Sequence, residues 1–449
     1  MLPSNTNTAE AKRRALSERI GSVLLYGTFG LLMFGPVAFG AVEPWSIFML
    51  QTGAVLLALV WIAKQWLDGA IKLNWNPLFL PMAIFASLIL VQIGFHASAY
   101  PHDTISHSFL YVTYAILCFL SSQTLLRGTQ ARKLALIFCI YGAAIAVFAL
   151  LQGISPNGKL YWMRQPRMGG WIYGPYVNHN HYAGLMELLI PIPLVISLTR
   201  LAPSRERLAA ACAAAVMAGT IFLSGSRGGM LALFGELVLL ALVLIKQRHD
   251  LRAAAALGLF LLLVVGLLTW LGGDELSRRL ATVHSSHTDI SADMRFQINR
   301  DGLRMFRQRP ILGWGLGCFP VAYPQFRTFY TNFFVNQAHD DYLQLLVEMG
   351  LLGFATMIWY LVVLFRRAWR KIPNWTSEVG GAVTLACMLG VTGILVHSAV
   401  DFNLQIPANA ALFYVFCIVA ASEPMVLPKR KRKPVQPPAE ETLPASEVV

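Results

Sequence analysis

Charged residues and cysteines are scarce in this sequence. Only 13% of the 449 residues are Asp, Glu, Lys or Arg, whereas soluble globular domains carry about a quarter. This scarcity excludes an ordinary soluble domain. The six cysteines show no CxxC spacing, and only Cys318 clearly lies in a predicted outer loop, so we expect no outer disulfide framework.

Long apolar runs take the place of charge. Hydrophobic residues make up 56% of the chain, and the mean hydropathy is +0.55. The runs are long enough to cross about 30 Å of hydrocarbon as helices, which alone satisfy a lipid-facing backbone. We therefore predict an all-α polytopic membrane protein of about 12 transmembrane helices with one long outer loop containing short helices. The predicted spans are 20–41, 46–63, 77–95, 107–126, 133–153, 182–199, 207–223, 228–245, 253–272, 341–365, 378–397 and 403–421.

Lysine and arginine are distributed unevenly among the loops. If the N-terminus is inside, 24 of the 36 cations fall in inner segments, and the other 12 are confined to three outer segments. Since inner loops are normally enriched in Lys and Arg, both termini are predicted to be cytoplasmic. The basic run 429–433 is expected to touch anionic lipid rather than nucleic acid.

The same patterns divide the chain into five parts. They are a cytoplasmic N-terminus (1–19), helices one to nine (20–272), a long outer loop (273–340), helices ten to twelve (341–421) and a disordered, basic, Pro-rich cytoplasmic tail (422–449). Eight arginines lie between residues 271 and 343. Because outer loops are normally poor in cations, this cluster predicts an anionic ligand.

A second outer segment, YWMRQPRMGGWIYGPYVNHNHY, combines arginine with many aromatic residues. It carries Arg164 and Arg167, and it ends on Asn178 and Asn180 at a predicted helix start. Helix starts attract anions, and aromatic rings beside Asn and Arg suit sugars. An interfacial aromatic belt with polar caps explains the same composition.

The third outer segment is the tight turn SGSRGG, in which Arg227 begins a predicted helix. A cation at that position opposes the helix dipole, so stability alone does not select it. A bound phosphate would reconcile the two charges. Contact of the side chain with lipid phosphates is the alternative.

In the long outer loop, Arg300, Arg304 and Arg307 share one face of a predicted helix that stops before Pro310. Arg295 points in another direction. The GWGLG sequence that follows indicates a turn whose backbone approaches another segment closely. No strand precedes it, so we do not interpret it as a nucleotide-binding fingerprint.

Two further polar segments flank the last spans. His339 stands in HDDYLQLLVEMGLLG, where the chain re-enters the membrane, and the arginine-rich loop precedes it. Asp401 lies in HSAVDFNLQIPAN, the last short outer turn. Its polar residues are candidates for the wall of the same site, although a tight turn alone also favours Asp and Asn.

Together these segments resemble the O-antigen ligase/polymerase superfamily, whose members transfer glycans from undecaprenyl pyrophosphate at the outer face of the bacterial inner membrane. The matching pieces keep the family's order from Asn178 to Phe413. They are NHNHYAGLMELLIPI, SGSRGGMLAL, MRFQINRDGLRMFRQRPILGWGLGCF, HDDYLQLLVEMGLLG and HSAVDFNLQIPANAALF. Asp340 stands where the family commonly has Asn, and Asn299 where an aromatic residue is common.

The resemblance implies catalytic roles for three residues. Arg227 matches the arginine of the family's SRGG turn, Arg295 the arginine that starts the R…PxxGxGxxxF segment, and His339 the histidine of the HNDYL-like motif. Fixed arginines stabilise the negative charge that develops on a pyrophosphate leaving group. His339 is expected either to accept the proton of the acceptor hydroxyl or to complete the pyrophosphate clamp. The expected substrate-binding residues are Arg164, Arg167, Asn178, Asn180, Arg300, Arg304 and Asp401.

The expected reaction is the transfer of a glycan to a hydroxyl of a lipid A core sugar at the periplasmic face, without metal or cofactor. The expected partners are the undecaprenyl-pyrophosphate-linked donor, the lipid A core or another glycan acceptor, and membrane lipids, with no nucleic acid. An O-antigen or exopolysaccharide polymerase and a protein O-oligosaccharyltransferase of the same superfamily are alternatives. The DFNLQIPANA ending is similar to that of exopolysaccharide-type members.

A metal site was weighed against the arginine clamp. His96, His102, Asp103 and His107 lie close together in one predicted outer loop. Their spacing fits no common ligand pattern, and a clamp of arginines makes a divalent cation redundant. We therefore predict no metal.

A transporter or flippase for a lipid-linked solute is the alternative from another class. Transporters usually place their site near the middle of the membrane, between repeated halves. Here Glu187, Glu236 and Glu348 are the ionisable residues within the spans, with no intramembrane cation to pair with, and no internal repeat is visible. The concentration of polar residues on one face favours surface chemistry.

Overall fold

The computed structural model describes residues 5–166, 170–246, 292–331 and 334–423. Within these ranges the chain is helical, and its β-structure is limited to two isolated bridges. We number the helices in chain order. They are α1 (Asn5–Val37), α2 (Pro44–Asp68), α3 (Phe79–Gly94), α4 (Pro101–Thr124), α5 (Gly128–Ile154), α6 (His179–Leu189), α7 (Pro191–Leu198), α8 (Ser204–Ser224), α9 (Arg227–Lys246), α10 (Ala292–Gln308), α11 (Phe319–Ala322), α12 (Asp341–Trp369), α13 (Val379–His397) and α14 (Pro407–Ala421).

The all-α polytopic membrane fold predicted from the sequence is confirmed. In the described part of the chain, nine helical segments are long and apolar enough to cross a membrane, and α3 and α14 are shorter apolar helices. They coincide with eleven of the twelve predicted spans, α6 and α7 together forming one. The remaining predicted span, 253–272, the first part of the long loop and the tail beyond residue 423 lie outside the described residues.

Helix α14 occupies the centre of the bundle. It is apolar all round, and every one of its 15 residues is buried, as expected of a helix enclosed by others. Helices α1, α4, α6, α12 and α13 pack around it. The segment that leads into α14 is therefore surrounded by the ends of several helices.

The helix ends predicted to be outer meet at one end of the bundle, which we call the site end. There the start of α6 reaches the α13–α14 loop through Asn180 and Asp401, and the start of α12 reaches it through Asp341 and Ser398. The segments predicted to be inner meet at the opposite end, for example through the ion pair of Arg132 with Glu206 at 3.0 Å.

Helix α12 is interrupted at Gly350, whose φ of 63° and ψ of −168° are not helical. The interruption frees two carbonyl groups of the preceding turn. Trp314 donates its N–H to the carbonyl of Val347 at 2.9 Å, and Gly315 donates to that of Glu348 at 3.0 Å. These hydrogen bonds attach the GWGLG turn to α12, which agrees with the close backbone approach predicted for this turn.

The Glu348 carboxylate completes this attachment. It accepts hydrogen bonds from the backbone N–H groups of Gly317 at 2.9 Å and of Phe319 at 3.2 Å. On the other side of the turn, Ile298 and Met305 of α10 are fully buried against the apolar cluster that includes Trp314. Helix α10 is consequently held in place, and its first turn lies at the site end.

Candidate functional site

Polar side chains are concentrated and buried around the α13–α14 loop, residues 397–403. Asp401 is 1% exposed, and His397, Ser398 and Asn403 have no exposed surface. Buried polar groups cost free energy unless they are paired. The contacts of this loop therefore define the site.

Asp401 is the centre of the loop. Its Oδ2 accepts a hydrogen bond from Asn180 Nδ2 at 2.7 Å and lies 3.8 Å from Nη2 of Arg295. Its Oδ1 lies 3.5 Å from Nδ1 of His339 and accepts the backbone N–H of Phe402 at 2.9 Å. One carboxylate thus joins α6, α10 and the start of α12.

The environment keeps Asp401 ionised. Burial alone would raise its pKa, but the nearby imidazole of His339 and the guanidinium of Arg295 outweigh burial. The pKa of this carboxyl consequently lies well below its usual range. The loop therefore presents a fixed negative charge that orients two cationic or proton-carrying side chains.

Arg295 is placed by the first turn of α10. Its Nη1 donates to the backbone carbonyl of Val400 at 2.8 Å, while its Nε has no hydrogen-bond partner among the described residues. The side chain is 25% exposed. The guanidinium is thus oriented by the loop and retains donor capacity for an anionic ligand.

His339 lies in an unusual backbone conformation. Its φ is +55°, in the left-handed region that few non-glycine residues adopt. Its ring meets the ring of Phe402 edge to face at 4.7 Å, and the ring of His181 meets Phe402 in the same way at 4.7 Å. Backbone strain held by such packing is common at functional sites.

Arg227 is the first residue of α9 and is exposed. The turn before it places Gly225 in the left-handed region, with φ of +74°, and Ser226 Oγ accepts the N–H of Gly229 at 3.1 Å. The next residue, Gly228, packs so closely on His397 and Val400 that a side chain there would collide with the His397 ring. Val400 therefore lies between the segments that carry Arg227 and Arg295.

A buried pair supports the loop from within the bundle. His397 Nδ1 and Glu187 Oε1 are 2.7 Å apart, and neither side chain is exposed. The sequence offers Glu187 no lysine or arginine within the spans, and its partner in the structure is the histidine that ends α13. Glu236, also buried, has no hydrogen-bond partner among the described residues.

The structure thus brings Arg295, His339, Asn180 and Asp401 together, and Gly228, the neighbour of Arg227, packs on the same loop. Asn178 has a local role, since its side chain caps α6 by accepting the N–H of Asn180 at 2.8 Å.

Three other predicted binding residues have different surroundings. Arg164 pairs with Glu43 at 2.9 Å and lies over the ring of Phe39, at the α1–α2 corner. Arg304 pairs with Asp301 at 3.3 Å within α10, and Arg300 is exposed. Arg167 lies outside the described residues.

Phe402, His181 and the Glu187–His397 pair were not selected from the sequence. The available signal was the occurrence of polar residues inside the apolar runs near residues 181–187 and 397. In the described part of the chain, no three His, Cys, Asp or Glu side chains are grouped as metal ligands would be. The groups that face outward from the loop are suited to an anion instead.

Part of the chain is similar to a known protein family. Residues 212–358 match the family model described as O-antigen ligase. The matched range contains Arg227, Arg295 and His339, whereas Asn180 and Asp401 lie outside it. No curated protein matches the chain.

Proposed function

Because residues 212–358 make this chain a member of the O-antigen ligase superfamily, we propose that it moves a glycan from undecaprenyl pyrophosphate to a hydroxyl of the lipid A core. The chain is a multi-pass membrane glycosyltransferase of the ligase and polymerase type. The donor, the acceptor and the residue roles given below are our proposal.

The observation that carries the proposal is that the three distant segments carrying Arg227, Arg295 and His339 meet at one loop. Arg295 Nη1 lies 2.8 Å from the carbonyl of Val400, His339 Nδ1 lies 3.5 Å from Asp401, and Gly228, beside Arg227, packs on Val400. A core or an aromatic belt would not require two arginines and a histidine at the same place. A reaction that releases pyrophosphate does require such groups.

In the proposed reaction, the two arginines bind the pyrophosphate. When the bond from the anomeric carbon to the phosphate oxygen breaks, negative charge develops on the leaving group. Arg227 and Arg295 stabilise that charge, because guanidinium groups bind phosphate oxygens in pairs and stay protonated. No metal ion or cofactor is needed for this step.

We assign His339 the role of general base. With Nδ1 directed at Asp401, the ring carries its second nitrogen, Nε2, on the other side. Nε2 takes the proton of the acceptor hydroxyl as that oxygen bonds to the anomeric carbon and undecaprenyl pyrophosphate leaves. Asp401 orients the ring and stabilises the imidazolium, as a carboxylate does in other histidine bases.

We propose that the site end faces the periplasm and that both termini are cytoplasmic. The support is the distribution of cations, since 24 of 36 fall in the segments assigned to the other side. The donor lipid, anchored in the inner membrane, would then present its pyrophosphate at the level of Arg227 and Arg295.

The test is transfer by purified protein in detergent, with the lipid-linked glycan and lipid A core as substrates. Arg227→Ala, Arg295→Ala and His339→Ala are expected to lower kcat by about 100-fold or more. Replacement of the exposed Arg366, near the opposite end of α12, by Ala is the matched control. Normal transfer by all three variants at normal folding would refute the assignment. Product formation without sealed vesicles excludes a role in transport alone.

Two further measurements separate the alternatives. Activity that is lost in EDTA and restored by a divalent ion would overturn the metal-independent reaction. In a deletion strain, loss of the lipopolysaccharide ladder with accumulation of lipid-linked polymer supports a ligase, a single-repeat product supports a polymerase, and loss of pilin glycosylation supports a protein oligosaccharyltransferase.

A further inference from the structure

Three consecutive residues, His339 to Asp341, make the entry into α12. His339 has a left-handed backbone. Asp340 caps the helix by accepting the N–H groups of Tyr342 and Leu343, each at 3.0 Å. Asp341 is the first helical residue and is only 5% exposed. A charged side chain is buried at this position only if its partners compensate for the lost hydration.

All the hydrogen-bond partners found for the Asp341 side chain belong to the segment that carries Asp401. Its Oδ2 accepts Ser398 Oγ at 2.9 Å and the N–H of Leu404 at 3.1 Å, and its Oδ1 accepts Gln405 Nε2 at 3.3 Å. Its own N–H donates to the carbonyl of Ser398 at 2.8 Å. Asp341 is therefore hydrogen-bonded to this segment on both sides of Asp401.

These hydrogen bonds connect His339 with Asp401, the carboxylate that orients it, although Asp341 itself touches no reacting atom. Asp341 is two residues after His339 and is bonded three residues before and three residues after Asp401. Because both segments are fixed to one buried carboxylate, the distance between His339 and Asp401 can vary only a little. The left-handed conformation of His339 is held by the same contacts, since the residues after it are fixed.

We propose that Asp341 is a positioning residue that sets the distance between His339 and Asp401 and so orients the base for transfer. This inference rests on the proposed function. The Asp341 carboxylate already accepts hydrogen bonds from the loop, so Asp341 acts on the substrate only indirectly.

The experiment compares Asp341→Asn with Asp340→Asn in the full-length protein in detergent. The amide that replaces the Asp341 carboxylate is neutral and has one acceptor oxygen instead of two, so the hydrogen bonds from Ser398, Leu404 and Gln405 are weakened. At position 340, Asn caps a helix as well as Asp does, so this neighbouring variant is a matched control. The measured quantities are kcat, the KM for the donor, the pH profile of kcat and the unfolding temperature.

For Asp341→Asn we expect kcat to fall about 10- to 100-fold, since a displacement of about 1 Å of a catalytic group is worth that much. The donor KM should change less than kcat does, because neither arginine contacts Asp341 directly. The pH profile of kcat should also change, because the base would lie at a different distance from the carboxylate of Asp401. Asp340→Asn should match wild type in all four measurements.

Ser398→Ala and Gln405→Ala each remove one partner, and each should lower kcat in the same direction with a smaller change. They keep the test decisive if Asp341→Asn does not fold. The inference is overturned if the loss of kcat only follows the folded fraction with an unchanged pH profile, or if all these variants equal Asp340→Asn. Absence of transfer by the wild-type protein would instead refute the proposed function.

Discussion

Asn180 donates a hydrogen bond of 2.7 Å to Asp401, although 221 positions separate the two residues in the chain. Both lie outside the range that matches the O-antigen ligase family model. The matched domain therefore supplies the two arginines and the histidine, while the segments before and after it supply the carboxylate and its amide partner. The site is complete only when all three parts of the chain are folded together.

Replacing Asn180 by Ala removes the nearest donor from a buried carboxylate. We expect the free energy of unfolding to fall by about 1–3 kcal/mol, the usual cost of leaving a buried acceptor unsatisfied. Transfer should fall further than the folded fraction does, because Asp401 loses its fixed orientation. Unfolding temperature and kcat measure the two effects.

The control for this variant is Asn374→Ala at the opposite end of the bundle. Asn374 is exposed and donates to Glu378 at 3.1 Å, so its loss should cost little and leave kcat unchanged. Equal kcat values for the two variants would show that the Asn180–Asp401 bond does not serve the site.

Asp401→Asn removes the charge that faces Arg295 and His339. Since the folded-state pKa of Asp401 is lowered from 3.8, its charge stabilises the fold at all pH values above 3.8, and this contribution is lost as the pH falls toward the lowered pKa. Wild type should therefore unfold at a higher temperature than Asp401→Asn. This difference should be constant from about pH 8 to about pH 5 and become smaller below the ordinary pKa of an aspartate.

Thermal unfolding in detergent across this pH series gives the measurement. A difference that begins to narrow near neutral pH would mean that burial dominates and that the pKa of Asp401 is raised. Such a result would remove Asp401 as a fixed counter-charge and leave His339 without its orienting partner.

The sequence supported the membrane fold and the three catalytic candidates because both depend on local signals. A run of apolar residues marks a span wherever it packs, and the SGSRGG and HDDYL segments are contiguous. Contacts between residues on distant helices have no local sequence signal. Neither the pairing of Glu187 with His397, 210 positions away, nor that of Arg164 with Glu43 follows from composition or periodicity.

The GWGLG segment is a second case in which the sequence did not predict the contact partner. Its glycines predicted a close backbone approach, and Gly313, Gly315 and Gly317 all have positive φ. Gly313 approaches the interruption of α12 at Gly350, whereas Gly315 lies against Ser98 and Gly317 against His107. The sequence does not predict that interruption, because Gly350 stands inside a helical pattern, where a single glycine is tolerated.

Gly228→Ala tests whether the turn before α9 is held by the buried His397–Glu187 pair. A β-carbon at this position would collide with the His397 ring and come within 3.1 Å of Val400 Cγ2. His397 cannot retreat without breaking its bond to Glu187, so we expect destabilisation of about 1–3 kcal/mol. Transfer should decline beyond the loss of folded protein, because Arg227 is the adjacent residue.

Gly30→Ala in α1 is the matched control, because nothing lies within 4 Å of the β-carbon it would add. Alanine is the better helix former, so this variant should be neutral or more stable by up to about 1 kcal/mol. If both variants melt at the same temperature with equal kcat, the packing of Gly228 on His397 does not position Arg227.

Gly313→Ala and Gly158→Ala separate backbone strain from collision. The two glycines have almost the same φ, +73° and +72°, but a β-carbon at Gly313 would lie 2.7 Å from the backbone nitrogen of Gly350, whereas at Gly158 nothing lies within 4 Å. Gly158→Ala should therefore cost only the left-handed strain, about 1–2 kcal/mol. Gly313→Ala should cost more and also reduce transfer, because the GWGLG turn holds α10 and hence Arg295 against the loop. Both are measured as unfolding temperature and kcat in detergent. Equal destabilisation, with transfer preserved in both, would mean that the turn does not need its attachment to α12 to place Arg295.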